Sequence, residues 1–287
     1  MRYLIAGAGY TGLSVAEQLQ GEKVTLLSRS INNKQEFDCQ KIDLDKDDFI
    51  ISIAAPFVVL YTIPPNTSSL NDERLKLFLK KLKTNPNRIV YLSSSGVYGD
   101  RKGNYTDETV KPNPTTKRAI RRLNAEKCIA DWCHKNKVEH VILRVSGIYG
   151  PNRLGIEKLK QGLTVIKQST AKPSNRIHIE DLTNCCISAM MKDKLSNIYN
   201  IGDGDHINQT WFYKAVCRNV GINNPTEIEV AEAKIKWGAM RLSFLNESRR
   251  LNVNKMKKEL IDNLKYPNAI DGIKESLPQE DAYDKKE

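Results

Sequence analysis

The feature that most constrains this chain is a glycine-rich turn near its beginning. Residues 3–6 form a short apolar run that predicts a buried strand, and Gly7, Gly9 and Gly12 follow it at G-x-G-x-x-G spacing. Apolar residues then recur at helical spacing, and Gly21 marks the expected end of the helix. The glycines therefore lie between a strand and a helix, which is the context in which this spacing carries structural meaning.

Each glycine has a physical reason in such a turn. Gly7 lets the chain turn sharply off the strand, Gly9 lets a pyrophosphate approach the backbone, and Gly12 lets the helix pack close to the strand. The free N–H groups and the positive dipole end of the helix then face the phosphates. We therefore predict a dinucleotide site that includes Tyr10 and Thr11 with these glycines; the alternative is a plain tight turn.

A basic residue after the second predicted strand bears on the choice of cofactor. Residues 24–28 form that strand, and Arg29 follows it. An acidic residue at this position would bond the ribose 2′-hydroxyl of NAD, whereas a basic one accommodates the 2′-phosphate of NADP. Ser28 and Arg29 offer a hydroxyl and a cation, so we predict a preference for NADP(H) over NAD(H). The alternative is a surface arginine.

Further strands and helices alternate along the first half of the chain. Strands are predicted at residues 57–63, 88–92 and 138–144, and helices at residues 70–82 and 115–136. The alternation predicts an α/β fold, a Rossmann-type doubly wound parallel sheet with a smaller C-terminal substrate lobe. We divide the chain into a dinucleotide-binding domain at 1–150, a substrate-binding lobe at 151–279 that is interleaved with the sheet, and a charged tail at 280–287.

Two further segments are candidates for cofactor contact. Asp43 and Leu44 close the unit after the second strand and are expected over the adenine, whereas Asp45 alternatively caps a helix. Pro64 follows the strand at residues 57–63 and fixes the turn at the carboxyl edge of the sheet.

Composition limits the partners. The net charge of +11 suggests an anionic partner, which fits a nucleotide cofactor or a phosphorylated substrate as well as a nucleic acid. The basic residues are spread over helical segments without interleaved aromatics, which disfavours nucleic acid.

The six cysteines form no C-x-x-C pair, so reduced thiols are expected and no metal site. Polar residues and prolines interrupt the apolar stretch at 49–65, so no membrane span is expected. With no targeting peptide before the first strand, we expect a cytoplasmic location.

Several motifs together resemble the extended short-chain dehydrogenase/reductase superfamily, the NAD(P)-dependent epimerase/dehydratase group. More narrowly, the chain is similar to the atypical bacterial branch, whose members often carry an incomplete catalytic set. The motifs are residues 7–12, 91–99 (YLSSSGVYG), 143–151 (LRVSGIYGP), 176–182 (RIHIEDL) and 198–203 (IYNIGD), with Tyr266, Pro267 and Gly272 near the end.

The resemblance implies catalytic positions, and this chain departs from them. The catalytic serine or threonine falls on Ser94, whose hydroxyl would bond the reacting substrate oxygen. If Glu126 is the family's glutamate, Arg122 stands where lysine is expected and Arg118 where tyrosine is expected. The family's tyrosine is the acid/base for the hydroxyl proton, and an arginine stays protonated. The arginines can still polarise a carbonyl or clamp an anion; the alternative is a solvated basic helix.

The resemblance also implies substrate contacts in the second lobe. Tyr149 lies near the nicotinamide in the family's layout, and Arg153 and Arg176 are candidates for an anionic substrate such as a nucleotide-sugar diphosphate. For His178 a structural role is favoured over catalysis, and Asp181 is expected to cap the following helix.

These observations leave two main hypotheses. The first is an NADP(H)-dependent oxidoreductase or epimerase acting on a polar carbonyl or sugar-nucleotide-like substrate. The second is a catalytically weak or inactive sensor that keeps the cofactor site, a reading favoured by the missing Tyr-x-x-x-Lys. A nucleic-acid-associated protein is a third and weaker option, resting on charge alone. By analogy with the family, a homodimer through the helices at 70–82 and 115–136 is expected.

Overall fold

The computed structural model describes residues 1–30, 37–46 and 48–278, so the predicted charged tail at 280–287 lies outside the described residues. The strands are β1 (Arg2–Ala6), β2 (Lys23–Ser28), β3 (Asp38–Lys41), β4 (Phe57–Tyr61), β5 (Arg88–Ser94), β6 (Tyr105–Thr106), β7 (Glu139–Val145), β8 (Gly147–Tyr149), β9 (Val165–Ile166), β10 (Arg176–His178), β11 (Ile198–Ile201), β12 (Glu227–Ile228) and β13 (Arg250–Leu251).

The helices connect these strands and cover both faces of the main sheet. They are α1 (Tyr10–Gln18), α2 (Glu73–Lys81), α3 (Lys117–Asn136), α4 (Ile156–Lys160), α5 (Ile179–Met191), α6 (Gln209–Val220), α7 (Val230–Lys236), α8 (Ala239–Leu245), α9 (Asn254–Glu259) and α10 (Ala269–Glu275). A 3₁₀ turn, Ser95–Tyr98, follows β5.

The main sheet is parallel and doubly wound. Within the described ranges its strand order is β3-β2-β1-β4-β5-β7-β11, and each neighbouring pair is parallel. Every residue of β4 is buried, as a continuous apolar run in a two-sided core requires. The chain order reverses between β1 and β4, so a ligand-binding crevice is expected at the carboxyl ends of these strands. The predicted fold class is confirmed.

Two apolar layers hold the sheet. One contains side chains of α1 and α5, including Val15 and Leu182, together with Ile5 of β1. The other contains side chains of α2 and α3, including Phe78 and Ile129. The alternate residues of each strand thus feed opposite layers, which fixes the register of the sheet.

The second half of the chain returns to the sheet before it completes the lobe. α5 packs on α1, and β11 pairs with β7 at the edge of the sheet. The remaining elements build smaller apolar clusters of their own, one around Phe212 and Ile273 and one around Ile166 and Ile228. The division of the chain at residue 150 stays a prediction of the sequence.

Capping explains where the helices begin. α2 starts at Glu73 rather than near residue 70, because the Asp72 side chain accepts a hydrogen bond from the Leu75 N–H at 3.0 Å. α3 starts after Thr116, whose hydroxyl accepts from the Ala119 N–H at 3.2 Å. Among the described residues all six cysteines are free, and no cluster with the composition of a metal site is present. No helix in the described part of the chain is long and apolar enough to cross a membrane.

Candidate active site

The glycine turn after β1 is shaped around an open space. Gly7 has a φ of +109°, and a Cβ there would lie 2.5 Å from the Thr62 Oγ1. A Cβ on Gly12 would lie 1.9 Å from the Gly7 carbonyl oxygen, so the helix and the turn leave no room for a side chain. A Cβ on Gly9 would meet nothing within 4 Å. Two glycines are thus required by packing, whereas Gly9 faces open space.

The open space lies at the start of α1. Gly9 occupies the N-cap position, and it offers no side-chain cap. The first turn of this helix contains no acidic residue, so its N–H groups and positive dipole end are available to an anion. Thr11 is buried in this turn, and Tyr10 donates from its hydroxyl to the Pro151 carbonyl at 3.0 Å. The residues present therefore fit a bound diphosphate.

Arg29 lies at the end of β2, next to a carboxylate. Its side chain is 68% exposed, and its Nη1 lies 3.8 Å from the Asp45 Oδ2. Asp45 also accepts two hydrogen bonds from Arg74 of α2, from Nε at 2.7 Å and from Nη2 at 2.5 Å. These bonds hold the pKa of Asp45 below its ordinary value. Arg74 in addition donates to the Pro64 carbonyl at 3.1 Å, so the turns after β2, β3 and β4 meet at one cluster.

Arg74 was missed by sequence reasoning, because on an amphipathic helix it is indistinguishable from the solvated lysines around it. Asp45 accepts hydrogen bonds from this arginine, and it caps none of the helices in the described ranges. The Asp43 carboxylate accepts from the Asp45 N–H at 3.1 Å and shapes the turn. Leu44 is buried in the apolar layer under α2, and its contact with the adenine stays a prediction. The Ser28 hydroxyl accepts from the Ser30 N–H at 3.4 Å.

Ser94 is the last residue of β5, at the carboxyl edge of the sheet. It is half-buried, and its Oγ accepts a hydrogen bond from the Gly96 N–H at 3.2 Å. The neighbouring serines have other surroundings: Ser93 is buried and donates to Glu126 at 2.5 Å, and Ser95 is buried in the 3₁₀ turn. Of the three serines, Ser94 has the more accessible side chain.

The arginines at the tyrosine and lysine positions of the motif make contacts of their own. Arg122 donates from Nη1 to the Leu92 carbonyl and to the Tyr91 hydroxyl, each at 3.0 Å, and so ties α3 to β5. Burial raises the pKa of Tyr91 to about 12. Arg118, one turn earlier, lies over the ring of Phe244 of α8 at 4.2 Å. The two arginines share a helix face as predicted from their spacing, but they contact different parts of the protein.

A buried ion pair lies next to the end of β5. Arg144 of β7 donates to both carboxylate oxygens of Glu126, with Nη2 at 2.8 Å from Oε2. Its guanidinium also lies 4.8 Å from the ring centre of Tyr98. Since Glu126 also binds Ser93, this network fixes β5, β7 and α3 with respect to one another. It is consistent with a structural role for the glutamate of the motif.

Two of the three predicted substrate residues lie in the core of the second lobe. Tyr149 is 3% exposed and packs edge-to-face against His178 and Phe212. Arg176 is 7% exposed, donates to the Ile207 carbonyl at 2.9 Å and lies 4.4 Å from the ring centre of Phe212. Burial lowers the pKa of Arg176 to about 10 and raises that of Tyr149. These placements favour packing roles, and substrate contact by either residue stays a prediction of the resemblance.

Arg153 differs from these two because it is exposed. Its guanidinium carbon lies 4.1 Å from the ring centre of Tyr10, the first residue of α1. The structure therefore brings this predicted substrate residue to the start of α1, next to the glycine turn.

His178 and Asp181 organise the start of α5. The His178 side chain accepts from the Glu180 N–H at 3.3 Å and also bonds the Ser276 hydroxyl at 3.0 Å. Burial lowers its pKa to about 4, so the ring is neutral at physiological pH. Asp181 accepts from the Lys265 and Tyr266 N–H groups at 2.7 and 3.0 Å. The predicted structural role of His178 thus includes the cap that had been expected from Asp181, while Asp181 anchors the C-terminal segment.

A separate polar cleft of about 360 Å³ lies at the opposite edge of the sheet. Residues at the beginning of β5 and β7, including Arg88 and Glu139, line it. It does not belong to the candidate site, because ligands of parallel α/β sheets bind at the carboxyl ends of the strands.

Comparison with known proteins bears on this geometry. The model of the NAD dependent epimerase/dehydratase family matches residues 73–202. The protein YeeZ of Escherichia coli K12 is 27% identical over 242 residues, which cover 77% of this chain and 84% of YeeZ.

Solved structures share the fold over almost the whole chain. A conserved protein of unknown function from Silicibacter pomeroyi superposes with a TM-score of 0.77 at 24% identity, covering 96% of this chain and 97% of its own. The UDP-glucose 4-epimerase of Thermotoga maritima, determined with UDP-glucose, gives a TM-score of 0.77 at 18% identity with the same coverage. The family match confirms the predicted resemblance of this chain to the epimerase/dehydratase group, and the solved structures show that the fold is shared.

Proposed function

We propose that this protein binds a nicotinamide dinucleotide, NADP(H) in preference to NAD(H), and acts as an oxidoreductase or epimerase. Its substrate is a polar carbonyl compound or a sugar nucleotide. The observation that carries the proposal is the glycine turn. Close packing leaves no room for a side chain at Gly7 or Gly12, whereas Gly9 faces open space at a helix terminus without a side-chain cap. A turn needed only for packing gives no reason for open space at Gly9.

The cofactor preference rests on the cluster at the end of β2. Arg29 is exposed, and both Arg29 and Arg74 form ion pairs with the Asp45 carboxylate. Two guanidinium groups around one aspartate leave net positive charge where the resemblance places the adenosine ribose. This charge favours a 2′-phosphate over a hydroxyl.

Ser94 is the residue proposed to contact the reacting oxygen. Because its Oγ accepts the Gly96 N–H, the hydroxyl proton remains free to be donated to a substrate carbonyl or alkoxide oxygen. The nicotinamide, when bound, supplies or accepts the hydride at the adjacent carbon. Arg122 places a fixed positive charge beside the same strand end, where it would favour negative charge developing on the substrate oxygen.

The sugar-nucleotide class is supported by the Thermotoga maritima enzyme of similar fold, which was determined with UDP-glucose. A domain division at residue 150, a homodimer through α2 and α3 and a cytoplasmic location stay predictions of the sequence.

A sensor without efficient chemistry is the second candidate, and a specific observation favours it. Arg118 and Arg122 occupy the positions of the tyrosine and lysine, and neither can accept a proton at neutral pH. The nearby Tyr91 is fully buried with a raised pKa, so it does not replace the missing base.

Titration of the purified protein with NADPH and NADH, followed by nicotinamide fluorescence, tests the binding proposal. Tighter binding of NADH than of NADPH would contradict the preference, and binding of neither would contradict the site. Incubation with carbonyl compounds and nucleotide sugars, with product analysis as well as absorbance, then separates enzyme from sensor. An enzyme converts at least one substrate and loses this activity in Ser94→Ala, whereas a sensor converts none.

A further inference from the structure

The loop at the beginning of the second lobe packs on Tyr10, the first residue of α1. β8 ends at Tyr149, and the Pro151 carbonyl two residues later accepts the Tyr10 hydroxyl at 3.0 Å. Gly150 has a φ of +152°, and a Cβ there would lie 2.5 Å from the same hydroxyl. The loop and the helix therefore approach closely for two reasons: Gly150 has no side chain, and the Tyr10 hydroxyl bonds the loop.

Arg153 places a positive charge at this contact. Its guanidinium stacks on the Tyr10 ring at 4.1 Å. In the described part of the chain it has no carboxylate partner within ion-pair distance, whereas Arg29, Arg74 and Arg144 each have one. Stacking on an aromatic face leaves the edge of a guanidinium free to donate in the plane, and that edge matches the geometry of a phosphate.

We propose that Arg153 is a phosphate-binding side chain of the dinucleotide site and acts together with the first-turn N–H groups of α1. Tyr10 positions it by stacking. This inference rests on the proposed function, and it reassigns Arg153 from the substrate to the cofactor.

The placement has a consequence for the second lobe. Since residues 150–155 lead from β8 into α4, a diphosphate held by Arg153 ties this loop to α1.

Binding measurements on charge variants test the inference. Arg153→Gln removes the charge and keeps a planar polar end group, and Arg153→Lys retains the charge without the planar fork. Arg218→Ala is the matched control, because Arg218 is exposed on α6 and its loss changes the net charge equally. The probes are NADPH, NADH and ADP-ribose, which carry the diphosphate, and adenosine, which does not.

We expect Arg153→Gln to weaken the three diphosphate ligands about tenfold or more, as loss of a charge-assisted hydrogen bond does, and to leave adenosine unchanged. Arg153→Lys should lie between this variant and the wild type, and Arg218→Ala should stay within about twofold. Equal affinities of Arg153→Gln and Arg218→Ala, or an equal loss for adenosine, would overturn the assignment. A wild-type protein that binds none of the diphosphate ligands would instead refute the proposed function.

Discussion

Replacing Gly9 by alanine should weaken dinucleotide binding at least about tenfold and leave the fold intact. The backbone at Gly9 has φ −89° and ψ −168°, which alanine adopts without strain, and the added Cβ would meet nothing within 4 Å. Alanine is a poorer N-cap than glycine by about 0.5–1 kcal/mol. It also reduces the entropy of the unfolded chain, which is worth about 0.4–1 kcal/mol in the opposite direction. The free energy of unfolding should therefore change by less than about 1 kcal/mol.

The effect on binding follows from the same open space. A methyl group above the turn keeps a phosphate out of hydrogen-bonding range of the first-turn N–H groups. Each lost bond to a charged group is worth about 1.5–3 kcal/mol, so loss of one or two raises the Kd at least tenfold. Nicotinamide fluorescence titration measures this Kd, and urea unfolding measures the stability of the same sample.

Two other glycines serve as controls for Gly9→Ala. Gly238 has an ordinary φ of −66° and open space around its Cβ position, so Gly238→Ala should change neither binding nor stability appreciably. Gly12→Ala should instead destabilise the protein by about 1–3 kcal/mol or more, because its Cβ would lie 1.9 Å from a backbone oxygen. A Gly9→Ala protein that binds NADPH as tightly as the wild type would refute the assignment of this space to the diphosphate.

Three further outcomes are expected. Ser94→Ala should lower kcat by about 10²–10⁴ with little change in cofactor affinity, measured by product analysis; an unchanged rate would exclude Ser94 from proton transfer. Arg29→Glu should shift the ratio of NADPH to NADH affinity at least about tenfold toward NADH, and an unaltered ratio in fluorescence titration would contradict the 2′-phosphate assignment. Burial raises the pKa of Asp203 to about 8, far above its value of about 3.9 in an unfolded chain. The folded state therefore holds a proton that the unfolded chain has released, and this stabilisation is lost as pH rises from about 4 to about 8. His178, with its pKa lowered to about 4, has the opposite effect between about pH 4 and 6.5 and so offsets the loss there. Urea unfolding should thus show a fall in stability between about pH 6.5 and 8, and Asp203→Asn should abolish it; the same slope in the variant would assign it to another group.

The elements that the sequence predicted well are those determined by neighbouring residues. The strand–glycine–helix turn and the fully apolar β4 are local patterns, and burial on both faces of the sheet follows from the apolar run itself. The start of α2 was placed too early, because its cap at Asp72 depends on a single side-chain hydrogen bond.

The parts of the site that were not predicted depend on residues far apart in the chain. Arg74 and Asp45 are separated by 29 positions, and neither belongs to a motif that would pair them. Tyr149 and Arg176 were assigned to the substrate through their motifs, yet α6 and α10 cover them in the folded lobe. A motif gives the residue type at a position, whereas its exposure is set by elements that arrive later in the chain.

The two arginines of α3 limit what chemistry this site can perform unaided. A hydride leaving a substrate alcohol requires that the hydroxyl proton go to an acceptor, and a guanidinium at neutral pH is already protonated. Ser94 can donate a hydrogen bond to the substrate oxygen, but an aliphatic hydroxyl is too weak an acid to give up its proton without a relay, and too weak a base to take one. The same group that protonates the oxygen in carbonyl reduction must accept the proton in alcohol oxidation, so the gap affects both directions equally. Ser94 and Arg122 therefore provide a hydrogen bond and a positive charge near the end of β5, and chemistry at this site requires that the proton be exchanged with solvent or with the substrate itself.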